Sequence, residues 1–435
     1  MQIEYSDKQV SPWGGMVLMK EIIDRTGIRE KLQTLGLPES RSNNSMDALT
    51  IIESFFVSVW IGATAFSQTT IVRLDDTLRE LFGWKRVPSG STFGRFFKKF
   101  SQAENNRVFP ELSRWFFGQI QFDNYTLDVD SSVITRYGSQ EGSRRGYNPQ
   151  KHGRASHHPL FAFISELRMV ANCWLRSGNT ASASNCIHFL EETFSILKDK
   201  TIGLFRADSG FSSNSIFEYL EEKKIPYVIA GRLHALLQSR IKDIQGWTPL
   251  DTGIWIAEME YQAERWKQLR RVIVIRQHVA LRPKATGKKL KLFDDAMFYE
   301  NFRYHCFITN QTLPANHVWA QYKERADAEN RIQELKYDFA LEGFAMKEFY
   351  ATEAAMRFVM MAYNLMSLFK HVTTQTPAQQ RLHTIRINCF AVASWIVKQG
   401  NKKILKMAVR MEKRPWMDGL LKLARDASMP LSLKT

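Results

Sequence analysis

Three acidic residues occupy positions from which their carboxylates could meet. Asp130 lies near the end of a segment with alternating hydrophobicity, Asp208 follows a short apolar run, and Glu329 lies in a segment with helical periodicity. Strand ends in α/β sheets gather at one edge, where ligands bind. Carboxylates there would suit Mg²⁺ or Mn²⁺, and two such ions can activate a water or a 3′-hydroxyl for attack on a phosphodiester. The spacing alone is unspecific, because single surface acids are common.

Asp128 is a second acid on the same predicted strand. Alternation places its side chain on the same face as Asp130. We prefer Asp130 as the ligand because it lies at the strand end and is followed by Ser131 and Ser132. Asp128 is then a possible supporting acid outside the ligand set.

The segment 322–336 predicts one continuous helix. At about 100° per residue, Tyr322, Arg325, Glu329 and Lys336 share a stripe roughly 60° wide. The apolar residues of the segment lie beside this stripe and not opposite it, which favours a cleft wall. A surface helix with ordinary i,i+4 ion pairs is the alternative.

The middle of the chain predicts a sheet in which strands and helices come to alternate. The predicted strands lie at 125–132, 161–167, 169–176, 202–208 and 226–230, with helices ending near 198 and spanning 212–223. This order is the connectivity of an RNase H-like sheet, although periodicity leaves other mixed α/β folds open. Strands at 253–259, 271–276 and 304–309 predict a β-rich insertion, which includes a basic loop at 282–291.

The regions that flank this sheet read as helical. Helices are predicted at 46–60 and 78–82, and Ser89 or Ser91 could cap another that carries Arg95 and Lys98 on one side and phenylalanines on the other. Such a helix would suit a helix-turn-helix reader of DNA, and a capped helix with a solvated basic face is the alternative. Helices are also predicted at 352–369 and 384–397, before a basic tail.

These patterns divide the chain into five predicted regions. They are a helical N-terminal region at 1–120, two parts of the core at 121–231 and 311–370, the insertion at 232–310, and a basic helical region at 371–435. The net charge of +16 is spread along the 435 residues, which favours a polyanionic partner. The four cysteines show no CxxC spacing, and no signal peptide or long apolar run is evident. We expect a soluble, reduced, cytoplasmic protein with no membrane partner.

The segment at 322–336 resembles a known family. Tyr322-x2-Arg325-x3-Glu329-x6-Lys336 matches, at all four positions, the signature of bacterial insertion-sequence DDE transposases. The segments 130–132 and 206–211 resemble the two aspartate motifs of that group, and 362–365 resembles the helix after the signature. The segment 146–159 resembles one branch of the group, transposase DDE domain group 1.

The resemblance implies an RNase H-like core with a β-rich insertion. It implies that Asp130, Asp208 and Glu329 bind metal, with two Mg²⁺ or Mn²⁺ ions expected. The implied activity is cleavage of double-stranded DNA at transposon ends and strand transfer into a target. A homodimer is expected, because two ends must be paired, and the protein would associate with the bacterial nucleoid when bound to DNA.

The resemblance also implies contacts to DNA. Tyr322, Arg325 and Lys336 would lie near the cleaved phosphate. Four residues of a basic loop could follow phosphates, although a solvated loop is the alternative; they are Arg144, Arg145, Lys151 and Arg154. Members of the group form a DNA hairpin and stack a flipped base on an aromatic residue of the insertion, for which Trp255 and Trp266 are candidates here; core packing is the alternative for both.

Two other functions stay open on the sequence. One is a catalytically silent DNA-binding protein with the same fold. The other is an RNase H-like nuclease that lacks strand transfer.

Overall fold

The computed structural model describes residues 1–39, 42, 45–149, 151–280, 297–373 and 380–432. The helices are α1 Val17–Thr26, α2 Ile28–Thr34, α3 Ala48–Ile61, α4 Thr70–Arg73, α5 Asp76–Phe82, α6 Gly90–Phe97, α7 Gln102–Gly118, α8 Cys186–Ile196, α9 Asn214–Glu222, α10 Ala235–Lys242, α11 Ala315–Lys323, α12 Ala326–Tyr337, α13 Phe349–Thr373, α14 Leu382–Ile385 and α15 Arg414–Asp426. The strands are β1 Ile120–Gln121, β2 Tyr125–Ser131, β3 Ile134–Thr135, β4 Arg144–Arg145, β5 Ala155–His157, β6 Leu160–Ile164, β7 Met169–Trp174, β8 Ile202–Ala207, β9 Tyr227–Ala230, β10 Thr248–Asp251, β11 Ile254–Tyr261, β12 Arg270–His278, β13 Met297–Tyr299, β14 Phe302–Thr309, β15 Ser394–Gln399, β16 Lys402–Met407 and β17 Leu431–Ser432.

A mixed ten-stranded sheet forms the centre of the fold. Its strand order is β10-β11-β12-β14-β9-β8-β2-β6-β7, and β13 pairs with β14. The neighbours β2, β8 and β9 are parallel, whereas β6 and β7 are antiparallel additions beside β2. The helices α8 and α9 provide the crossovers that parallel strands require. The chain therefore has the mixed α/β fold that the sequence predicted.

The predicted insertion is rich in strands but does not form a separate sheet. Its last strand, β14, pairs antiparallel with β9, with Ile308 opposite Ile229. The strands β12, β11 and β10 then follow in succession. The insertion therefore extends the central sheet on one side. The basic loop predicted at 282–291 lies outside the described residues.

The helix α13 packs against the other end of the sheet and against the N-terminal helices. Every residue from Ala351 to Phe369 is buried. The amide of Asn364 pairs with the edge strand β7, because its Nδ2 donates to Val170 O and its Oδ1 accepts from Val170 N, each at 2.8 Å. One side chain thus satisfies two backbone groups that an edge strand would leave unpaired.

In the part of the chain that the structure describes, no single helix has both the length and the apolar composition to cross a membrane. The helices Ala48–Ile61 and Phe66–Arg73 pass that test only as a pair, and the pair is bent by 100°.

The predicted cap of α6 is present. The hydroxyl of Ser89 accepts a hydrogen bond from the Thr92 N–H at 3.3 Å. The phenylalanines of α6 are buried, whereas Arg95 and Lys98 are exposed, and Lys98 forms an ion pair with Glu348 at 3.0 Å. The helix therefore has the predicted apolar and basic sides, and its role in reading DNA stays a prediction.

The prediction of a helix at 384–397 is wrong beyond residue 390. A π-helical turn at Arg386–Phe390 follows α14, and β15 begins at Ser394. The N-terminal segment causes this change, because Gly14 N donates to Val392 O at 2.9 Å and Ser11 exchanges two backbone hydrogen bonds with Ser394 at 2.8 Å. Backbone groups that are used in this pairing cannot continue a helix. The region 371–435 is therefore only partly helical and contains the hairpin of β15 and β16.

Replacing Asn364 tests its bonds to the edge strand. We expect Asn364→Leu to lower the free energy of unfolding by about 2–4 kcal/mol, because it leaves two buried backbone groups unsatisfied. Ser367→Ala is the control on the same helix; it removes one bond, to Arg168 O at 2.9 Å, and should cost about 1 kcal/mol. Urea denaturation measures both, and equal losses would contradict the dual role of the amide.

Candidate active site

Asp130 and Asp208 lie side by side at one edge of the central sheet. In the parallel pair β2 and β8, Val129 is opposite Ala207, so the two acids occupy equivalent positions. Adjacent strands are about 4.8 Å apart. The carboxylates of two distant sequence motifs are therefore brought together.

Local hydrogen bonds fix both acids. Asp130 Oδ1 accepts from the Ser131 N–H at 2.8 Å, and Asp208 Oδ1 accepts from the Gly210 N–H at 2.9 Å. A Cβ atom at Gly210 would lie 2.9 Å from both Asp208 Oδ1 and Ser182 Oγ. The glycine therefore allows its backbone to approach the carboxylate closely.

The charges of the three predicted ligands interact. Burial, together with the charges of Asp208 and Glu329, raises the pKa of Asp130 to about 7, against the opposing effects of the Arg325 guanidinium and the Ser131 N–H. Glu329 lies half-buried in the first turn of α12. Three acids in one electrostatic environment favour the binding of a cation.

The three acids have the donor atoms that a metal ion needs, but not the close grouping. Among the residues that the structure describes, no three His, Cys, Asp or Glu side chains are grouped closely enough to hold a metal ion. The oxygen donors of Asp130, Asp208 and Glu329 match the chemistry that Mg²⁺ and Mn²⁺ prefer. A complete coordination shell would therefore require these side chains to approach one another.

The helix predicted at 322–336 is in fact two helices. α11 ends at Lys323 and α12 begins at Ala326. The carbonyl of Gln321 accepts a hydrogen bond from Arg206 Nη1 at 2.5 Å, and the Arg325 N–H donates to Tyr322 O at 3.0 Å. The bond from a residue on the sheet therefore replaces one bond of the helix ladder, and the backbone between the two helices keeps helical dihedral angles but forms tighter bonds to the third residue back.

Arg206 is a residue whose role sequence reasoning missed. Its Nε and Nη2 donate to the two carboxylate oxygens of Asp128 at 2.6 and 2.9 Å, and both side chains are almost completely buried. The two residues lie opposite each other on β8 and β2. The sequence does contain a signal for this pair, because Arg206 precedes Asp208, and Asp128 precedes Asp130, by the same number of residues. Asp128 is thus the partner of a buried arginine.

The turn places Arg325 against Asp130. Arg325 is 1% exposed, and its Nη2 lies 3.2 Å from Asp130 Oδ2. Within the described part of the chain, its Nε has no hydrogen-bond partner. A buried cation with an unused donor is costly, and an anionic oxygen would satisfy it.

Tyr322 and Lys336 are both engaged in contacts within the protein. Tyr322 is 0% exposed, its ring centroid lies 4.4 Å from that of Phe307, and its hydroxyl has no hydrogen-bond partner in the described part of the chain. Lys336 Nζ donates to Val133 O at 2.8 Å and lies 3.2 Å from Glu342. Contact of either residue with DNA stays a prediction.

The predicted basic loop forms a small sheet next to the acids. β3, β5 and β4 pair in that order, and β3 follows directly after β2, which carries Asp130. Its four predicted DNA contacts are all exposed; they are Arg144, Arg145, Lys151 and Arg154.

The two candidate tryptophans differ in their surroundings. Trp266 packs against Phe217 and Tyr261 at centroid distances of 5.6 and 5.7 Å. Trp255 contacts Phe302 at 5.4 Å, and the guanidinium of Arg276 lies 5.3 Å from its ring. Both rings are half-buried. Trp266 packs against the main hydrophobic core cluster.

Comparison with known proteins identifies the family. The family described as transposase DDE domain group 1 matches residues 1–427. The chain belongs to this family. The match confirms the family that the sequence motifs predicted, and it makes the chain a transposase.

No curated protein matches this transposase. A solved structure described as a piggyBac transposase synaptic complex with hairpin DNA is similar to it, with a TM-score of 0.42 and 11% identity over 86% of this chain and 78% of that chain.

Replacing Asp128 tests whether it supports the fold or binds a ligand. We expect Asp128→Asn to lower the stability of the transposase by about 3–5 kcal/mol, because it leaves the buried charge of Arg206 without its carboxylate. The double variant Asp128→Leu/Arg206→Met should recover much of this loss. Thermal unfolding measures each variant, and a stable Asp128→Asn protein that has lost activity would make Asp128 a ligand instead.

Asp130 predicts a pH dependence of stability. Folding raises the pKa of the Asp130 carboxyl to about 7. The contribution of this group to the free energy of unfolding is therefore fully present below about pH 4, and it is lost as the pH rises through 7. At roughly 1.4 kcal/mol per pKa unit, this loss approaches about 4 kcal/mol. Without divalent cations, the free energy of unfolding should therefore fall more steeply between about pH 5 and about pH 8 in the wild type than in Asp130→Asn.

The control for this profile is Glu222→Gln, which replaces an exposed acid on α9. Its pH profile should match that of the wild type. Parallel profiles of Asp130→Asn and the wild type would contradict a neutral, buried Asp130.

Proposed function

We propose that this transposase cleaves double-stranded DNA at the terminal repeats of an insertion sequence and joins the ends to a target. The observation that carries the proposal is the adjacent placement of Asp130 and Asp208 at one sheet edge, with Glu329 in their electrostatic environment and the buried guanidinium of Arg325 beside Asp130. An acidic cluster with an adjacent cation suits a substrate that carries both phosphate oxygens and bound divalent ions.

The core of the proposal is an RNase H-like sheet. The strand order β7-β6-β2-β8-β9, with β2, β8 and β9 parallel, supports it. The predicted division at residues 120, 231, 310 and 370 is part of the same proposal. In it, β10 to β14 belong to the insertion although they extend the sheet.

Asp130, Asp208 and Glu329 would hold one or two Mg²⁺ or Mn²⁺ ions. Such ions, when bound, activate the attacking water or 3′-hydroxyl and stabilise the leaving oxygen. The protein's own contribution is to hold Asp130 and Asp208 side by side at one sheet edge, with Glu329 on α12 in the same electrostatic environment. Burial of Asp130 and Arg325 also strengthens the electrostatic interaction between them.

Arg325, Tyr322 and Lys336 would bind the DNA strand. The unused Nε of Arg325 supports a charge-assisted hydrogen bond to a phosphate oxygen. Lys336 would release Glu342 and turn its ammonium to the backbone. Since Tyr322 is fully buried, its contact with DNA would require the side chains around its ring to rearrange.

The remaining contacts follow from exposure and position. Phosphates of the duplex would lie along the small sheet that carries the four loop residues, and along α6 with Arg95 and Lys98. For a base flipped during hairpin formation, we favour Trp255, because Trp266 packs into the core cluster. Two chains would pair two DNA ends as a homodimer, in the cytoplasm and associated with the nucleoid.

A cleavage assay tests the proposal. Wild-type protein, terminal-repeat DNA and Mg²⁺ should give cleaved ends, and EDTA should abolish the product. Asp130→Ala, Asp208→Ala and Glu329→Ala should each lower the rate at least about a hundredfold, since each removes roughly 3 kcal/mol of transition-state stabilisation. Binding of the same DNA should persist in all three variants.

Glu222→Ala is the matched control, because it removes an exposed acid far from the sheet edge. Normal cleavage by the three variants would overturn the assignment. A wild type that binds the ends without cleaving them would support the catalytically silent alternative. Cleavage without joining of precut 3′-hydroxyl ends would support a nuclease that lacks strand transfer.

A further inference from the structure

The hairpin of β15 and β16 carries an unusual arrangement of lysines. In its register Lys398 lies opposite Lys403, and Gln399 lies opposite Lys402. Directly opposed like charges destabilise a strand pair. A two-stranded sheet offers little packing to offset that cost, so the arrangement suggests an external anion.

The charge continues beyond the hairpin. Residues 398–414 contain seven lysines and arginines and a single acid, Glu412. Lys403 forms an ion pair with Glu80 at 3.2 Å. Within the part of the chain that the structure describes, Lys398, Lys402 and Lys406 form no ion pair, and all three are exposed. Most of this positive charge is therefore available to a partner.

The hairpin presents lysines on both of its faces. Residues opposite each other share a face, and successive residues alternate. Lys398 and Lys403 therefore lie on one face, and Lys402 and Lys406 lie on the other with Trp395. The major groove of DNA is about 12 Å wide and admits a two-stranded ribbon between two walls of phosphate. Lys398 on one face, and Lys402 and Lys406 on the other, are therefore the lysines that could reach phosphates.

The base of the hairpin is fixed to the N-terminal region. Ser394 pairs with Ser11, and Lys403 reaches Glu80 on α5. Lys8 lies 3.5 Å from the ring centroid of Trp395. The ribbon is thus held on the region for which DNA-end binding is predicted.

We propose that the β15–β16 hairpin is a second binding element for duplex DNA, which contacts phosphates through Lys398, Lys402 and Lys406. The inference rests on the proposed function in that it takes DNA as the substrate, but it adds a surface outside the sheet edge that holds the acids. Lysines on exposed strand edges can also serve to prevent edge-to-edge association, and a basic ribbon can bind anionic lipid. These are outcomes that the experiment separates.

The test uses the full chain and a fluorescent duplex without terminal-repeat sequence, in EDTA so that no cleavage occurs. Affinity is measured between about 50 and 200 mM salt. The slope of log K against log salt is negative, and each lost phosphate contact reduces its magnitude by about 0.9. The variant Lys398→Gln/Lys402→Gln/Lys406→Gln should therefore have a slope whose magnitude is smaller by about 2.7.

The matched control is Lys198→Gln/Lys223→Gln/Lys224→Gln, with the same change of charge. These exposed lysines precede β8 and β9 and lie at the sheet edge opposite the acids. The control should keep the wild-type slope. Lys→Arg at the three hairpin positions should restore the slope, which separates the loss of charge from misfolding.

Equal slopes for the hairpin variant and the control would overturn the proposal. Aggregation of the hairpin variant with an unchanged slope would assign the lysines to edge protection, and hairpin-dependent binding to phosphatidylserine vesicles but not to the duplex would assign them to lipid. The wild type could fail to cleave terminal-repeat DNA while the hairpin variant still shows the expected change of slope. That result would contradict the proposed function but support the hairpin as a DNA-binding element.

Discussion

The buried ion pair of Asp128 and Arg206 is the interaction on which the site depends. The guanidinium donates to both oxygens of Asp128, to Ser165 Oγ and to the carbonyl of Gln321. Its planar fork can meet these acceptors together, which a lysine could not do. One side chain thus joins β2, β8 and the end of α11, and these elements carry Asp130, Asp208 and the turn to Arg325.

The consequence is a site whose charges are balanced across elements. Arg325 lies at the interruption between α11 and α12, beside an aspartate whose pKa is raised by burial. Without Arg325, ionised Asp130, Asp208 and Glu329 would repel one another with little compensation. The acids therefore favour the binding of cations, and the unused Nε of Arg325 favours a hydrogen bond to an anionic oxygen. DNA with bound divalent ions would supply both.

Much of this architecture was predictable from the sequence. The alternating run that ends at Asp130 predicted β2, and the apolar run before Asp208 predicted β8, because period and strand-end position are local properties. Their adjacency followed from the order of elements. The burial of Tyr322 was not predictable, since it depends on Phe307, which reaches it only when β14 joins the sheet. The extension of the sheet by the insertion was hidden for the same reason, because strand pairing across a long separation leaves no local periodicity.

The two errors in predicted helices have one physical cause. In each case a backbone carbonyl within a segment of helical periodicity accepts a hydrogen bond from a residue distant in sequence: Gln321 from Arg206, and Val392 from Gly14. A helix needs its carbonyls for the residues four positions ahead, so an external donor ends or turns it. Periodicity shows which side chains share a face of the helix. It carries no information about which donor forms a hydrogen bond with each backbone carbonyl. At 322–336 that omission concerned the site itself, because Arg325, which lies at the interruption between α11 and α12, is 3.2 Å from Asp130.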